Sequence, residues 1–176
     1  MQARREMHDV KTKVPRYAEF HPASAASSKA MRGNRDRDTR PEVVLRRMLW
    51  QMGARYRKNV TSLCGKPDLV FPRARIVVFC DGDFWHGREW ASLRRKLEMR
   101  ANATYWVQKI QANRERDRRT RDRLRRAGWC VIAVWEGEVR SDPSAAAARI
   151  MRVLRSTSCN PTVTPSSART PEACTK

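Results

Sequence analysis

A chain of 176 residues that carries 38 Lys and Arg against 18 Asp and Glu, a net charge of +20, is drawn to polyanions, and to nucleic acid before any other. Charge alone still leaves room for a ribosome-associated or merely solubilised basic protein. No apolar run approaches a membrane span, no apolar signal segment is read at the start, and five scattered cysteines without a C-x-x-C pair suggest neither a disulfide framework nor a zinc knuckle, so a reduced cytoplasmic compartment is expected.

In chain order, residues 1–27 read as a mobile polar arm, 28–155 as the folded domain, and 156–176, rich in Ser, Thr and Pro, as a disordered tail. A basic stretch over 29–40 leads into a helix with Pro41 at an early position; Leu45, Met48, Leu49 and Met52 form its buried stripe and Gly53 closes it. Glu42 falls in the first turn, where it either complements the helix dipole or supplies a carboxylate to a metal site. A first strand is read over 55–60.

Two apolar, β-branched runs follow, Leu69-Val70-Phe71 and Ile76-Val77-Val78-Phe79-Cys80, separated by Pro72-Arg73-Ala74-Arg75, which reads as a β-hairpin. Asp68 opens the first run and Asp81 ends the second. A hairpin brings those ends together, so the two acids are expected to share a divalent cation, with His86 a nearby base. Carboxylates on adjacent strand ends beside a base suit metal-dependent phosphodiester cleavage.

The segment 87–103 reads as polar and irregular, with a short helical stretch over 93–99. A long helix spans 104–127, with Trp106, Ile110 and Leu124 on its buried side and Gly128 after it. Eight arginines fall between Arg114 and Arg126, either a solvated face or a phosphate-facing one. A buried strand over 129–135 ends at Glu136, and an Ala-rich helix spans 143–154. Helix, three strands, helix, strand, helix makes a mixed α/β domain.

That order, with Met31-Arg32, Asp38-Thr39, Glu42, Gly65-Lys66-Pro67-Asp68, Phe84-Trp85-His86-Gly87, Tyr105-Trp106, Lys109, the block 113–119, Gly128-Trp129 and Val134-Trp135-Glu136, resembles the very short patch repair (Vsr-type) DNA mismatch endonucleases of the PD-(D/E)xK superfamily. The resemblance covers about 28–139. It implies a single restriction-endonuclease-like domain with a central mixed β-sheet flanked by helices. It also implies a magnesium-dependent endonuclease, with two ions at the phosphate, that nicks one strand of duplex DNA at or next to a T:G mismatch.

By the same resemblance Asp68 binds the metal, Cys80 offers its backbone carbonyl, His86 is catalytic and Glu42 acts through metal-bound water. Phe84, Trp85 and Trp106 would enter DNA beside the mismatch from the major groove, and Met31 from the minor groove, since a mispaired step is easier to unstack. Arg32, Lys66, Arg116 and Arg119 are expected on DNA. Trp129 and Trp135 are read as core.

Two departures stand out. Asp81 replaces a histidine usual in the family and is expected to serve as a further metal ligand and catalytic residue. The family's structural zinc ligands fall on Asp83, Arg88, Trp90 and Gly137, which cannot make a tetrahedral site, so no structural zinc is expected and Trp90 and Leu97 would hold the segment by packing. These departures keep two alternatives open: a nicking or restriction-like endonuclease without mismatch preference, and a catalytically idle DNA-binding module. The expected setting is a nucleoid-associated monomer in the cytoplasm, working on double-stranded DNA with mismatch-repair proteins as possible partners.

Overall fold

The computed structural model describes residues 37–158; the arm 1–27, Met31, Arg32 and the tail beyond 158 lie outside the described residues, with the expectations placed on them. The elements in order are α1 (Arg40–Gln51), β1 (Arg57–Lys58), β2 (Leu69–Phe71), β3 (Ile76–Asp81), α2 (Trp90–Glu98), α3 (Ala103–Arg126), β4 (Cys130–Trp135), α4 (Glu136–Ser141) and α5 (Pro143–Ser158). The strands form one sheet in the order β1-β2-β3-β4. β1–β2 and β2–β3 pair antiparallel, whereas β3–β4 pair parallel, from Ile76 opposite Cys130 to Asp81 opposite Trp135. The result is an α/β domain consistent with the restriction-endonuclease-like fold.

Helices cover both faces of the sheet, which is why β2 and most of β3 are apolar on consecutive residues rather than alternate ones. On one face Leu69, Val78 and Val134 pack with Leu45 and Leu49 of α1 and Ile150 of α5. On the other, Val70 and Val77 meet Leu124 of α3. Asp68 precedes β2, which runs opposite to β3, so it lies at the same edge of the sheet as Asp81 and the end of β4.

Several local readings need correction. Leu45 and Leu49 are buried and Met48 half-buried, but Met52 is 36 % exposed: α1 has ended at Gln51 and the chain turns at Gly53, φ +86°. The first strand is only Arg57–Lys58, with both residues exposed; it is an edge strand with one neighbour, and its charges guard a free edge. Tyr105, not Trp106, is the buried aromatic of α3, because α2 packs along that helix while Trp106 turns toward Phe84 and Trp85. The helix expected over 93–99 starts earlier, at Trp90, and does bury Leu97. Trp129 precedes β4 and is half-buried beneath the Arg75 guanidinium, and Trp135 is also only half-buried. After β4 the six-residue helix α4 was not foreseen, and the final helix continues to Ser158. No described helix is long and apolar enough to cross a membrane.

Two glycines let loops lie directly on α3. A Cβ on Gly65 (φ +77°) would collide with Thr120 Cγ2, and one on Gly87 (φ +65°) would stand 2.7 Å from Arg114 Cδ and 3.0 Å from Ile110 Cγ2. Gly87→Ala combines left-handed strain with this crowding. It should lower stability by about 1–3 kcal/mol in urea unfolding.

Candidate active site

The sheet edge gathers the acids from both sides of β3. Asp68 is reached by its neighbour strand: Cys80 N donates to Asp68 Oδ2 at 2.7 Å. Glu42, 5 % exposed, borders the same small cleft as Asp68 and Cys80. Its carboxylate is fixed by Asp38 N at 2.9 Å and Thr39 Oγ1 at 2.7 Å. Burial, then the neighbouring Glu42 and Asp81 charges, raise the Asp68 carboxyl to about 7, against the partial relief given by Cys80 N–H. The Cys80 thiol is pushed up as well, mainly by burial, and stays protonated.

Asp81 belongs to a different group. It is 2 % exposed and is ion-paired with Arg121 of α3, whose guanidinium also lies 5.7 Å from the Phe79 ring centroid. Its other oxygen stands 3.7 Å from His86 Nδ1. Burial raises the Asp81 carboxyl, with Arg121 and His86 opposing. The hairpin does bring Asp68 and Asp81 to one edge, close enough to repel, but Asp81 is already engaged by an arginine that the expectation of a shared cation did not include.

His86 sits in a compact loop over 82–88. Its N–H donates to Gly82 O at 3.1 Å, and Arg88 N donates to Asp83 O at 2.8 Å. The Asp83 and Arg88 side chains pair at 3.2 Å, closing the loop a second time over Gly137, where a Cβ would stand 2.5 Å from Asp83 Oδ2 and 2.7 Å from Arg88 Nη1. Three of the four positions named for a zinc site therefore meet as an ion pair on a bare backbone. Trp90 instead lies under Arg114, 5.2 Å from the ring centroid.

His86 Nδ1 is 2.5 Å from Asp117 Oδ2. Burial works to raise the Asp117 carboxyl, but the His86 hydrogen bond and charge, with Arg116, outweigh it and hold it below the ordinary value. An ionised carboxylate only accepts, so Nδ1 carries the proton and Nε2 of a neutral ring is left as acceptor. Sequence reading missed this role of Asp117. The signal was present: Ile110 and Leu124 are both buried on α3, and Asn113, Asp117 and Arg121 recur at i, i+4, i+8 between them. Asn113 Nδ2 donates to Trp85 O at 3.1 Å, fixing the loop from the same face.

The foreseen aromatics meet. Phe84 and Trp85 are 5.2 Å apart edge to face, Phe84 and Trp106 5.5 Å, and Trp85 and Trp106 6.0 Å. All three are half-buried. Lys66 is exposed with φ +49°, two residues before Asp68. Arg116 and Arg119 are exposed on α3, paired with Asp117 at 3.2 Å and Glu115 at 2.8 Å.

No three His, Cys, Asp or Glu side chains among the described residues form a ready cage for a metal. A buried carboxyl crowded by two other acids is nevertheless a place where a divalent cation would relieve repulsion. Magnesium takes one or two carboxylates and fills the rest of its shell with water and phosphate oxygens, so Asp68, with Glu42 acting through water, fits that ion.

Two outcomes follow. Asp68 has a raised folded-state carboxyl, so its stabilising protonated form is fully present below the unfolded value near 3.8 and lost as pH climbs through about 7. Without divalent cation, Asp68→Asn should therefore be more stable than wild type at pH 8, and the gap should close toward pH 4 in parallel chemical denaturation. Arg121→Met strands a buried charge on Asp81 and should cost about 3–5 kcal/mol. Asp81→Asn/Arg121→Met should recover most of it in a double-mutant cycle.

The family described as DNA mismatch endonuclease Vsr matches residues 20–92. Among known proteins, the type II nicking enzyme V.NmeDIP of Neisseria meningitidis serogroup C is 38% identical across 72% of this chain and 84% of its own length. V.HpaIIP of Haemophilus parainfluenzae, also a type II nicking enzyme, is 37% identical over 69% and 84%. The DNA mismatch endonuclease Vsr of Escherichia coli (strain K12) is 39% identical over 66% and 72%. With its α/β sheet and the Asp68 and His86 groups at one edge, the chain belongs to the Vsr-type family of DNA endonucleases.

Proposed function

We propose that this endonuclease uses magnesium to nick one strand of duplex DNA at or beside a T:G mismatch, the product of 5-methylcytosine deamination, in very short patch repair. The observation that carries the reading is the packing of Phe84 and Trp85, on the loop that also carries His86, against Trp106 of α3. A wedge of rings joined to the reacting group ties cleavage to a step that opens easily, and a mispaired step opens at lower cost than a paired one.

Asp68 and the Cys80 carbonyl would hold the cation and Glu42 would order its water. A magnesium ion held there would supply Lewis-acid polarisation of a phosphate and a more acidic water. His86, oriented by Asp117, accepts the proton of the attacking water at Nε2 or hydrogen-bonds the phosphate. Asp81 supports His86 from the other side while Arg121 balances its charge. Mismatch-repair proteins are the natural partners of such a nick.

A second reading, nicking without mismatch preference, draws on V.NmeDIP and V.HpaIIP, whose names specify nicking and no mismatch. One experiment separates the two: strand cleavage with magnesium on duplexes that differ only by T:G or T:A. A nick confined to T:G, abolished in Asp68→Ala and reduced by about 10²–10⁴-fold in His86→Ala, supports the mismatch reading. Equal cutting of both duplexes selects the second.

A further inference from the structure

Helix α3 places its eight clustered arginines on two opposed faces. At roughly 100° per residue, Arg114, Arg118, Arg121 and Arg125 fall in one stripe and Arg116, Arg119, Arg123 and Arg126 in another on the far side. Composition treats these as one basic run, but a duplex lying against one side of a helix meets only one of them.

The first stripe has a furrow in front of it and the second is absent from that furrow. A concavity of about 640 Å³ is lined by Arg114, Arg118, Arg121 and Arg125 together with His86 and Trp135. Each of the four is held in place. Arg114 stacks over Trp90, Arg121 pairs with Asp81, Arg118 is held by Glu115 at 2.8 Å, and Arg125 is held by Asp122 at 3.0 Å. The acids orient the guanidiniums without neutralising the furrow, whose lining carries four arginines against Glu115 and Asp117. The Arg118 and Arg125 side chains remain 66% and 55% exposed, so their remaining N–H groups are open to a ligand.

We infer that this furrow is the seat of the cut strand's backbone: the phosphates that follow the scissile one along the strand lie on Arg118 and Arg125, with Arg114 and Arg121 behind them, while the Arg119 and Arg126 face, which also carries Arg116, points away from the duplex, in place of the DNA contacts expected of Arg116 and Arg119 from the sequence. A guanidinium fork matches a phosphodiester in geometry and charge, and a row of forks along a helix continues the line of a strand that enters at His86. This deepens the assignment of the chain as a DNA endonuclease and does not depend on mismatch preference or on the cation.

The test compares two variants of equal net charge, Arg118→Gln/Arg125→Gln and Arg119→Gln/Arg126→Gln. All four side chains are exposed, and neither pair touches Asp68, His86 or the aromatic trio. Equilibrium binding of a fixed T:G duplex, in calcium so that it is not cut, is measured across salt concentrations. The slope of log K against log[salt] should fall by about 1.8 for the furrow pair, close to 0.9 per lost phosphate contact, and by less than about 0.5 for the opposite pair. A duplex with methylphosphonates at those phosphates of the cut strand should weaken wild type and leave the furrow variant unchanged.

Equal slopes in the two variants would overturn the assignment, leaving a diffuse charge effect. So would a larger fall for Arg119→Gln/Arg126→Gln, or equal methylphosphonate sensitivity in the furrow variant and wild type. Loss of mismatch preference in cleavage with these slopes intact would sink the repair reading alone.

Discussion

The contact between His86 Nδ1 and Asp117 Oδ2 joins two parts of the protein that fold for different reasons. His86 sits on a loop launched from the end of β3, a strand fixed by apolar pairing on both sides. Asp117 sits in the middle of α3, a helix whose exposed faces are almost wholly charged and whose place is set by Ile110, Leu124 and the contacts of its first turns. The loop reaches the helix because Gly87 lets the backbone lie against Arg114 and Ile110 and because Asn113 holds the Trp85 carbonyl. If α3 were turned by one residue, Asp117, Arg121 and the furrow arginines would leave the site together.

Around that contact the charges are sorted by the sheet. On the α1 side, burial first and then the Glu42 and Asp81 charges hold Asp68 near 7, with Cys80 N–H and the Arg46 charge giving only partial relief. On the α3 side, Asp81 and Asp117 have partners from the protein itself: Arg121 is ion-paired with Asp81, and His86 Nδ1 hydrogen-bonds Asp117. Two carboxylates that are near neighbours at the strand ends are thus both raised by burial, but only Asp81 has an arginine paired with it to oppose the rise.

Much of this was legible in the sequence where a single periodicity decided the outcome. The hairpin over 69–81 is marked by two β-branched runs and a turn, and the structure pairs Leu69 with Val78 and Phe71 with Ile76. The start of α1 was equally clear from Pro41 and the spacing of Leu45 and Leu49. Met52 and Trp106 were misread because burial near a helix end depends on what covers that turn, which lies elsewhere in the chain. Asp117 and Arg121 escaped notice for another reason. In a block of alternating charges each residue resembles its neighbours, and only the partners across the fold, His86 and Asp81, single them out.

The bare backbone at Gly137 has a bearing on how such a protein can vary through descent. Asp83 and Arg88 close the loop that carries Phe84, Trp85 and His86, and their paired tips occupy the space where a side chain at 137 would begin. Those tips are flexible, so a substitution there would displace the ion pair before it disturbed the backbone. Position 137 lies far along the chain from every reacting group, yet drift at it would be felt first by the wedge and the histidine. A lineage could retune where and how firmly its enzyme grips a distorted base step without altering a residue that touches DNA.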